Sequence, residues 1–373
     1  MIKTNFVKKI AFISTMGSYP WGGSEELWSK TALSLKNAGL EVAINYKKWP
    51  ISSSQLQNLK SHQCKIFLRD ENSIFFKADR LLSSNFFRYR WIDEFKPDLV
   101  LISQGGNQDG IEWAELCLRK KIPYMLLVEA ANEGYWPDDN FANRLRIVYQ
   151  KAKKTFFVSQ GNLKLTEVQI ATKLNNAQIV YNPFNVSYDT KIPWPIDNKK
   201  YKLACVARLD PVNKGQDILL EIFAKPFWKS LPIELNLYGY GRNEKSFKKL
   251  KKDWQLKNIY FKGFEPDVKK IWQDNHALVL PSRSEGLPLV LVEAMICARP
   301  SIVTDVAGNS ELIKDNVNGF LAQAPNVKIF EETLLRAWNQ RKRWKEIGQQ
   351  ASKDVRTVIP EDPITYFINK MFS

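Results

Sequence analysis

Two carboxylates eight residues apart, Glu285 and Glu293, bracket the run Gly286-Leu287-Pro288-Leu289 in this 373-residue chain. The apolar stretch Ala277–Leu280 ahead of them reads as a buried strand, and the segment from Leu289 to Ala298 reads as a helix. Pro288 suits the first turn of that helix, where a missing N–H costs nothing. The N–H groups from Gly286 to Leu289 then point out of the strand end as a site for an anion. Gly286 lets a ligand come close to the backbone. Glu285, ahead of the helix, is placed to meet a ligand, and Glu293, one to two turns along, can chelate a vicinal diol such as a ribose. Plainer parts fit the same side chains: Glu285 as a complement to the helix dipole, Glu293 as a solvated helix residue.

A second cluster lies where the strand Lys202–Ala207 gives way to a helix, in Val206-Ala207-Arg208-Leu209-Asp210-Pro211-Val212-Asn213-Lys214-Gly215. Arg208 and Lys214 are spaced to converge on one anionic group at the strand end. A planar fork and a point charge are a common division of labour around a diphosphate. Two ordinary surface cations among the 55 Lys and Arg are the alternative.

Arg208-Leu209 with Lys214-Gly215, the turn Gly239-Tyr240-Gly241, Gly263-Phe264 and the E-x7-E spacing from Glu285 to Glu293 occur here in one order. Asp305-Val306-Ala307-Gly308, Glu311 and Asn318-Gly319-Phe320 continue it. In this the second half, over about residues 200 to 325, resembles the retaining glycosyltransferases of family 4, which have the two-domain GT-B fold. The resemblance implies that Arg208 and Lys214 hold a donor diphosphate and stabilise the charge that grows on it. Glu285 contacts the donor sugar, Glu293 binds the nucleotide ribose, and the amides of Gly286, Leu287 and Leu289 around Pro288 complete the phosphate site. Gly263 and Phe264 lie near the base. It also implies a nucleotide-diphosphate sugar donor, a glycan or lipid-linked acceptor, no cofactor and no metal. The tandem Asp138-Asp139 is not a metal-carrying D-x-D, and arginine, lysine and amides can neutralise a leaving diphosphate without a cation.

The first half matches less closely. Trp21-Gly22-Gly23-Ser24-Glu25 occupies the place of the family's glycine-rich loop, with Gly22 and Gly23 on the acceptor side. Ser24 would cap the following helix, with Glu25 and Glu26 complementing its dipole. After the strand Ile122–Val128, where many relatives carry a histidine, this chain has Glu129, which fits either polar contact with an acceptor or a loop role. Arg80, Phe86, Phe87, Arg88, Tyr89, Arg90 and Trp91 interleave basic and aromatic residues, as a helix seated on an anionic bilayer does. Half core and half solvated face is the competing reading.

These residues need a scaffold, and the chain supplies the pattern for one. Short apolar runs alternate with helical patterns from end to end, which predicts an α/β fold. Two doubly wound, Rossmann-like domains facing each other across a cleft follow, since such sheets bind ligands at the carboxyl ends of their strands. In the first half the strands are predicted at Lys9–Thr15, Glu41–Tyr46, Asp98–Ser103, Ile122–Val128, Thr155–Val158 and Gln178–Tyr181, with a helix over Ser24–Ala38 closed by Gly39. In the second they are predicted at Lys202–Ala207, Ile233–Tyr238, Asn258–Phe261, Ala277–Leu280 and Ser301–Thr304. Helices are expected there at Gly215–Lys229, Glu244–Trp254, Val268–Asp274, Leu289–Ala298 and Val327–Gln349. Pro183, Pro193 and Pro195 stiffen a connection between the halves. The expected domains are 1–190 for the acceptor, 191–355 for the donor, and a segment 356–373 returning to the first.

Composition narrows the classes further. The net charge is +16, with 26 basic and 19 acidic side chains in residues 1–198 and 29 and 20 in the rest. Spread this evenly, the surplus has no basic tail and no nucleic-acid signature; anionic small substrates or an anionic membrane surface suit it. No stretch approaches the roughly 18–20 uncharged apolar residues of a membrane span. Met1-Ile2-Lys3 through Lys8-Lys9 and the short apolar run Ile10–Ile13 read as the approach to and start of the first strand rather than as a secretory signal. Four separated cysteines and two histidines argue against structural zinc and for small core thiols. The expected location is cytoplasmic, either free or peripheral on the inner membrane face. Two rivals are a non-catalytic glycan-binding or scaffold subunit on the same fold, and a nucleotide-linked oxidoreductase, which the missing G-x-G-x-x-G disfavours.

Overall fold

The computed structural model describes residues 7–17, 19–70, 86–196 and 200–373. The chain divides into two compact units, Met1–Pro183 with Asp362–Ser373, and Phe184–Glu361.

The first unit is a seven-stranded parallel sheet. In chain order its strands are β1 (Lys9–Ser14), β2 (Glu41–Lys47), β3 (Lys65–Arg69), β4 (Leu99–Gln104), β5 (Tyr124–Val128), β6 (Lys154–Phe157) and β7 (Ala177–Ile179). They lie in the order β3-β2-β1-β4-β5-β6-β7. β4 and β5 are buried at every position, as expected of strands covered on both faces. Side-chain alternation sorts them into two cores. Ala11, Ile13, Val100, Ile102, Leu126 and Val128 pack on one face. Ile10, Phe12, Leu99, Leu101, Met125 and Leu127 pack on the other. The helix Pro363–Phe372 closes this second face with Phe367, Ile368 and Met371, and Phe367 meets Phe156 edge-on at 4.9 Å.

The second unit repeats the design with six parallel strands: β8 (Tyr201–Val206), β9 (Ile233–Tyr238), β10 (Ile259–Gly263), β11 (Ala277–Leu280), β12 (Ser301–Thr304) and β13 (Phe320–Ala322). Their order is β10-β9-β8-β11-β12-β13. In both sheets the first and fourth strands are neighbours and the order reverses between them, which is where open α/β sheets bind ligands.

Several expectations shift. β3 and β13 escape the sequence reading because they are short edge strands with mixed burial or few residues. The helix expected over Gly215–Lys229 is two, Gln216–Ala224 and Pro226–Ser230. Lys225 precedes a proline and is held extended, which ends the first. The helix expected over Val327–Gln349 breaks after Asn339, and Trp344–Val358 resumes it; the buried Trp344 donates Nε1–H to the Ala337 carbonyl at 2.9 Å across the break. Because that second helix runs to Val358, the chain leaves this unit at Glu361 rather than 355. Residues 184–190 belong to the second unit, where the Tyr188 hydroxyl donates to the Arg356 carbonyl at 2.9 Å.

The interleaved stretch is also revised. Tyr89 and Trp91 are core residues, with Tyr89 edge-on to Trp113 at 4.9 Å. Arg90 pairs with Glu94. Those aromatic rings therefore cannot seat the protein on a bilayer. Arg80 and the side chains of Phe86, Phe87 and Arg88 lie outside the described residues. No helix among the described residues is long and apolar enough to cross a membrane.

Candidate functional site

At the reversal point of the second sheet, β8 ends in the loop to Arg208 and β11 ends in the loop to Glu285. The two loops are stitched together by long-range bonds. The N–H groups of Arg283 and Ser284 donate to the Asn213 carbonyl at 2.8 and 3.2 Å. The Arg283 guanidinium reaches back to the Pro211 carbonyl at 2.6 Å and clasps both oxygens of Asp217 at 2.7 Å. Gly215, at φ +65°, follows the single turn Pro211–Lys214, and a Cβ there would stand 2.0 Å from the Pro281 carbonyl oxygen. Only glycine allows the two chains to pass so closely. Below the Arg208 loop, a Cβ on Gly239 or Gly241 would meet the Ala207 or Leu209 carbonyl at 2.3 or 2.2 Å.

These constraints bring Lys214 Nζ to 2.7 and 2.8 Å from the two oxygens of Glu285. The carboxylate also accepts from Ser282 Oγ at 2.7 Å. Glu285 is buried, with 6% of its side chain exposed against 19% for Lys214. Far apart in sequence and expected to act on different parts of a donor, Lys214 and Glu285 are one ion pair in the fold. Glu285 is therefore not merely a complement to a helix dipole. Arg208 is half-buried, and its carbonyl is held by Gln216 Nε2 at 2.6 Å.

Pro288 stands one residue earlier than expected, at the cap position with extended ψ of 122°, and the helix runs Leu289–Ile296. Its first amides lack partners within the helix by geometry. Leu287 is buried, and Gly286 accepts from the Gly308 N–H at 3.0 Å, fixing the loop. Glu293 is not a solvated residue: it is buried, and its Oε1 accepts from the backbone N–H and side-chain amide of Asn185 at 2.9 and 3.0 Å. Gly263 ends β10 at φ +70°, its carbonyl accepting from the Gly239 N–H at 2.8 Å, and Phe264 beyond it is 68% exposed. Ser282, Arg283, Asn213 and Asn185 escaped the sequence reading. Their partners stand 3 to 108 residues away and no local pattern marks them.

The first unit carries its own polar edge. Gly22 is extended at φ −160° and Gly23 opens a 3-10 turn to Glu25, ahead of the helix Glu26–Asn37. Ser24 makes no capping bond, contrary to expectation. Glu25 is not a surface complement to the dipole: it is buried and its Oε2 accepts from Trp28 Nε1 at 3.1 Å. Burial pushes its pKa up to about 7, against the opposing hydrogen bonds from Ser14 and Trp28. Glu129 follows β5 and is 6% exposed, no loop residue in solvent. Its Oε2 accepts from Asn182 Nδ2 at 2.6 Å while its Oε1 is buried with no hydrogen-bond partner. Burial pushes this carboxyl up to about 8, with the charge of Glu25 adding to the rise. Asp138 caps the helix Asp139–Lys151 through Phe141 N–H at 2.8 Å. All four cysteines are buried thiols.

Residues 189–354 match the family model described as glycosyl transferases group 1. Among curated proteins, the chain is 30% identical over 200 residues to the poly(ribitol-phosphate) alpha-N-acetylglucosaminyltransferase of Staphylococcus aureus, covering 52% of this chain and 40% of that one. It is 27% identical over 253 residues to the N,N'-diacetylbacillosaminyl-diphospho-undecaprenol alpha-1,3-N-acetylgalactosaminyltransferase of Campylobacter jejuni, covering 63% and 66%. The chain thus spans about two fifths of the first relative's length and two thirds of the second's. Among solved structures, Anabaena HepE in complex with UDP and glucose superposes with a TM-score of 0.75 at 18% identity, over 98% of this chain and 99% of that one. The fold is that of the GT-B glycosyltransferases, and the stretch that matches their group 1 model contains the Lys214–Glu285 pair and the Arg208 loop.

Proposed function

We propose that the protein is a metal-independent, retaining glycosyltransferase of family 4. It moves a sugar from a nucleotide-diphosphate donor to a glycan or lipid-linked acceptor in surface polysaccharide or glycolipid assembly. The observation that carries this reading is the Lys214–Glu285 pair at the reversal point of the second sheet, inside the matched stretch. Arg208 and Lys214 hold the donor diphosphate and stabilise the negative charge that grows on it as the glycosidic bond breaks. The amides at the start of the helix Leu289–Ile296 share that charge. Glu285 meets the donor sugar, held in place by Lys214 and Ser282, and Glu293 meets the ribose, held by Asn185. Gly263 and Phe264 serve the base. In the first unit Gly22, Gly23 and Glu129 serve the acceptor. Support for the donor class comes from solved neighbours of the same fold that hold UDP, and for the acceptor class from the Campylobacter relative, named for a diphospho-undecaprenol substrate.

The test is a calorimetric or thermal-shift screen against nucleotide-diphosphate sugars without added metal. A donor at 100 times its dissociation constant adds about 2.7 kcal/mol of stability. With the donor in hand, NMR of the product's anomeric proton reads retention. A folded protein that no donor stabilises, with or without metal, overturns the assignment; a donor that requires metal overturns metal independence alone.

A further inference from the structure

Tyr89 and Trp91, two of the aromatic residues expected to meet a bilayer, are in the core of the first unit, yet the second unit carries a surface with the required charge. Between residues 244 and 262 there are seven lysines against two carboxylates and no arginine. Five of those lysines fall within the ten residues of the helix Glu244–Asp253. Phe247 is buried and faces the unit, while Lys245, Lys248, Lys249 and Lys252 are exposed. The helix lies along the edge strand β10: Lys248 stands 5.9 Å over the Phe261 ring and Lys251 5.5 Å over Tyr260. Lys262, on the strand, reaches Tyr260 at 5.4 Å from its own side. Helix and strand thus form one basic edge, with the half-buried rings of Tyr260 and Phe261 lying under its lysines on either side of the strand.

Glu244 and Asp253 neutralise Lys248 and Lys249 at 2.6 and 2.5 Å. Lys245, Lys252 and Lys257 have no carboxylate partner among the described residues. Protecting an open sheet edge from pairing takes a charge or two on the strand itself, which Lys262 supplies; the helix lysines exceed that need. Their type also matters. Lysines are strongly hydrated point charges, suited to a field over many headgroups rather than to bidentate capture of one phosphate. Aromatic rings beside them match the interfacial zone of a bilayer.

We propose that this lysine-rich edge, helix Glu244–Asp253 with β10, seats the protein on an anionic bilayer. The inference rests on the reading above that the acceptor is lipid-linked. It adds which unit meets the membrane and through which residues.

The test is sedimentation of the full chain with vesicles of phosphatidylcholine alone or with 30% (roughly) phosphatidylglycerol, at low and high salt. Each lysine near an anionic surface contributes about fivefold to partition, so Lys245→Gln, Lys252→Gln and Lys257→Gln together are expected to lower binding well over tenfold. Raising the salt towards 1 M, where screening acts within about 3 Å, is expected to release the wild type. A control with Lys60→Gln, Lys121→Gln and Lys153→Gln, exposed lysines of the first unit, is expected to stay within about twofold. Equal loss in that control would overturn the proposal, because net charge alone would then explain binding. So would binding to neutral vesicles as strong as to anionic ones, or retention by a single-stranded oligonucleotide without vesicle binding. Donor stabilisation measured on the same samples keeps a failed membrane surface distinct from a failed glycosyltransferase assignment.

Discussion

Glu129→Gln removes an ionisable group while keeping its shape and its ability to accept from Asn182 Nδ2. In the folded chain this carboxyl holds its proton to about pH 8, against an ordinary 4.5, because burial disfavours the charge and Glu25 lies near. A group that binds its proton more tightly when folded stabilises fully below its unfolded pKa. That contribution is lost as pH rises through the folded value. The window therefore runs from 4.5 to about 8. At about 1.4 kcal/mol per pH unit, the upper bound on the stability given up across it is roughly 4–5 kcal/mol. Half of that, about 2 kcal/mol, moves the melting temperature by about 4–8 °C in a unit of this size. Melting curves from pH 5 to 8.5 are expected to fall steeply for the wild type and more gently for Glu129→Gln. The slope that remains belongs in part to Glu25, whose window runs from 4.5 to about 7. Equal slopes for the two proteins would refute the reasoning, since Glu129 would then be ionised and hydrated in the fold.

Lys214→Ala leaves the buried Glu285 without its cation and is expected to lower stability by about 2–3 kcal/mol in urea unfolding, the partial exposure of Lys214 reducing the usual cost. Lys214→Met with Glu285→Gln strands no charge, so it is expected to recover most of that stability while donor affinity stays at least about tenfold below wild type. Gly215→Ala drives a Cβ against the Pro281 carbonyl at a left-handed φ. A loss above about 3 kcal/mol, or failure to fold, is expected by urea titration. Burial raises the thiols of Cys64 to about 11 and of Cys117, Cys205 and Cys297 to about 12; none is expected to react with a thiol reagent at pH 8 faster than the chain unfolds.

The elements that position the site were legible in the sequence because parallel strands covered on both faces are continuous apolar runs. β1, β4, β5, β11 and β12 announce themselves that way, while β8 carries Lys202 and β9 alternates Ile233, Leu235 and Leu237 with Glu234 and Asn236. β3, with a lysine and an arginine at its ends, and the three-residue β13 do not. The loops after β8 and β11 stood out through glycine, proline and charge at fixed offsets. What joins them did not: Arg283 meets Asp217 across 66 positions, and Asn185 meets Glu293 across 108. Such pairs depend on the order of strands in the sheet, which no local spacing encodes. Glu129 shows the same limit in another form. Its position after a strand was readable, but its neutral state comes from burial and from Glu25, more than 100 residues earlier.

The helix Pro363–Phe372 has a consequence for how the chain acquires its shape. Phe367, Ile368 and Met371 complete one face of a sheet whose strands end at Ile179, and Lys154 ties down the helix end by donating to the Lys370 carbonyl at 2.7 Å. The intervening segment, Phe184–Glu361, is a whole second unit. At about 5–20 residues per second of synthesis, the first unit waits on the order of ten to forty seconds on the ribosome with that apolar face uncovered. The second unit is complete in sequence before that closing helix is made, so the part of the protein made first is the part finished last.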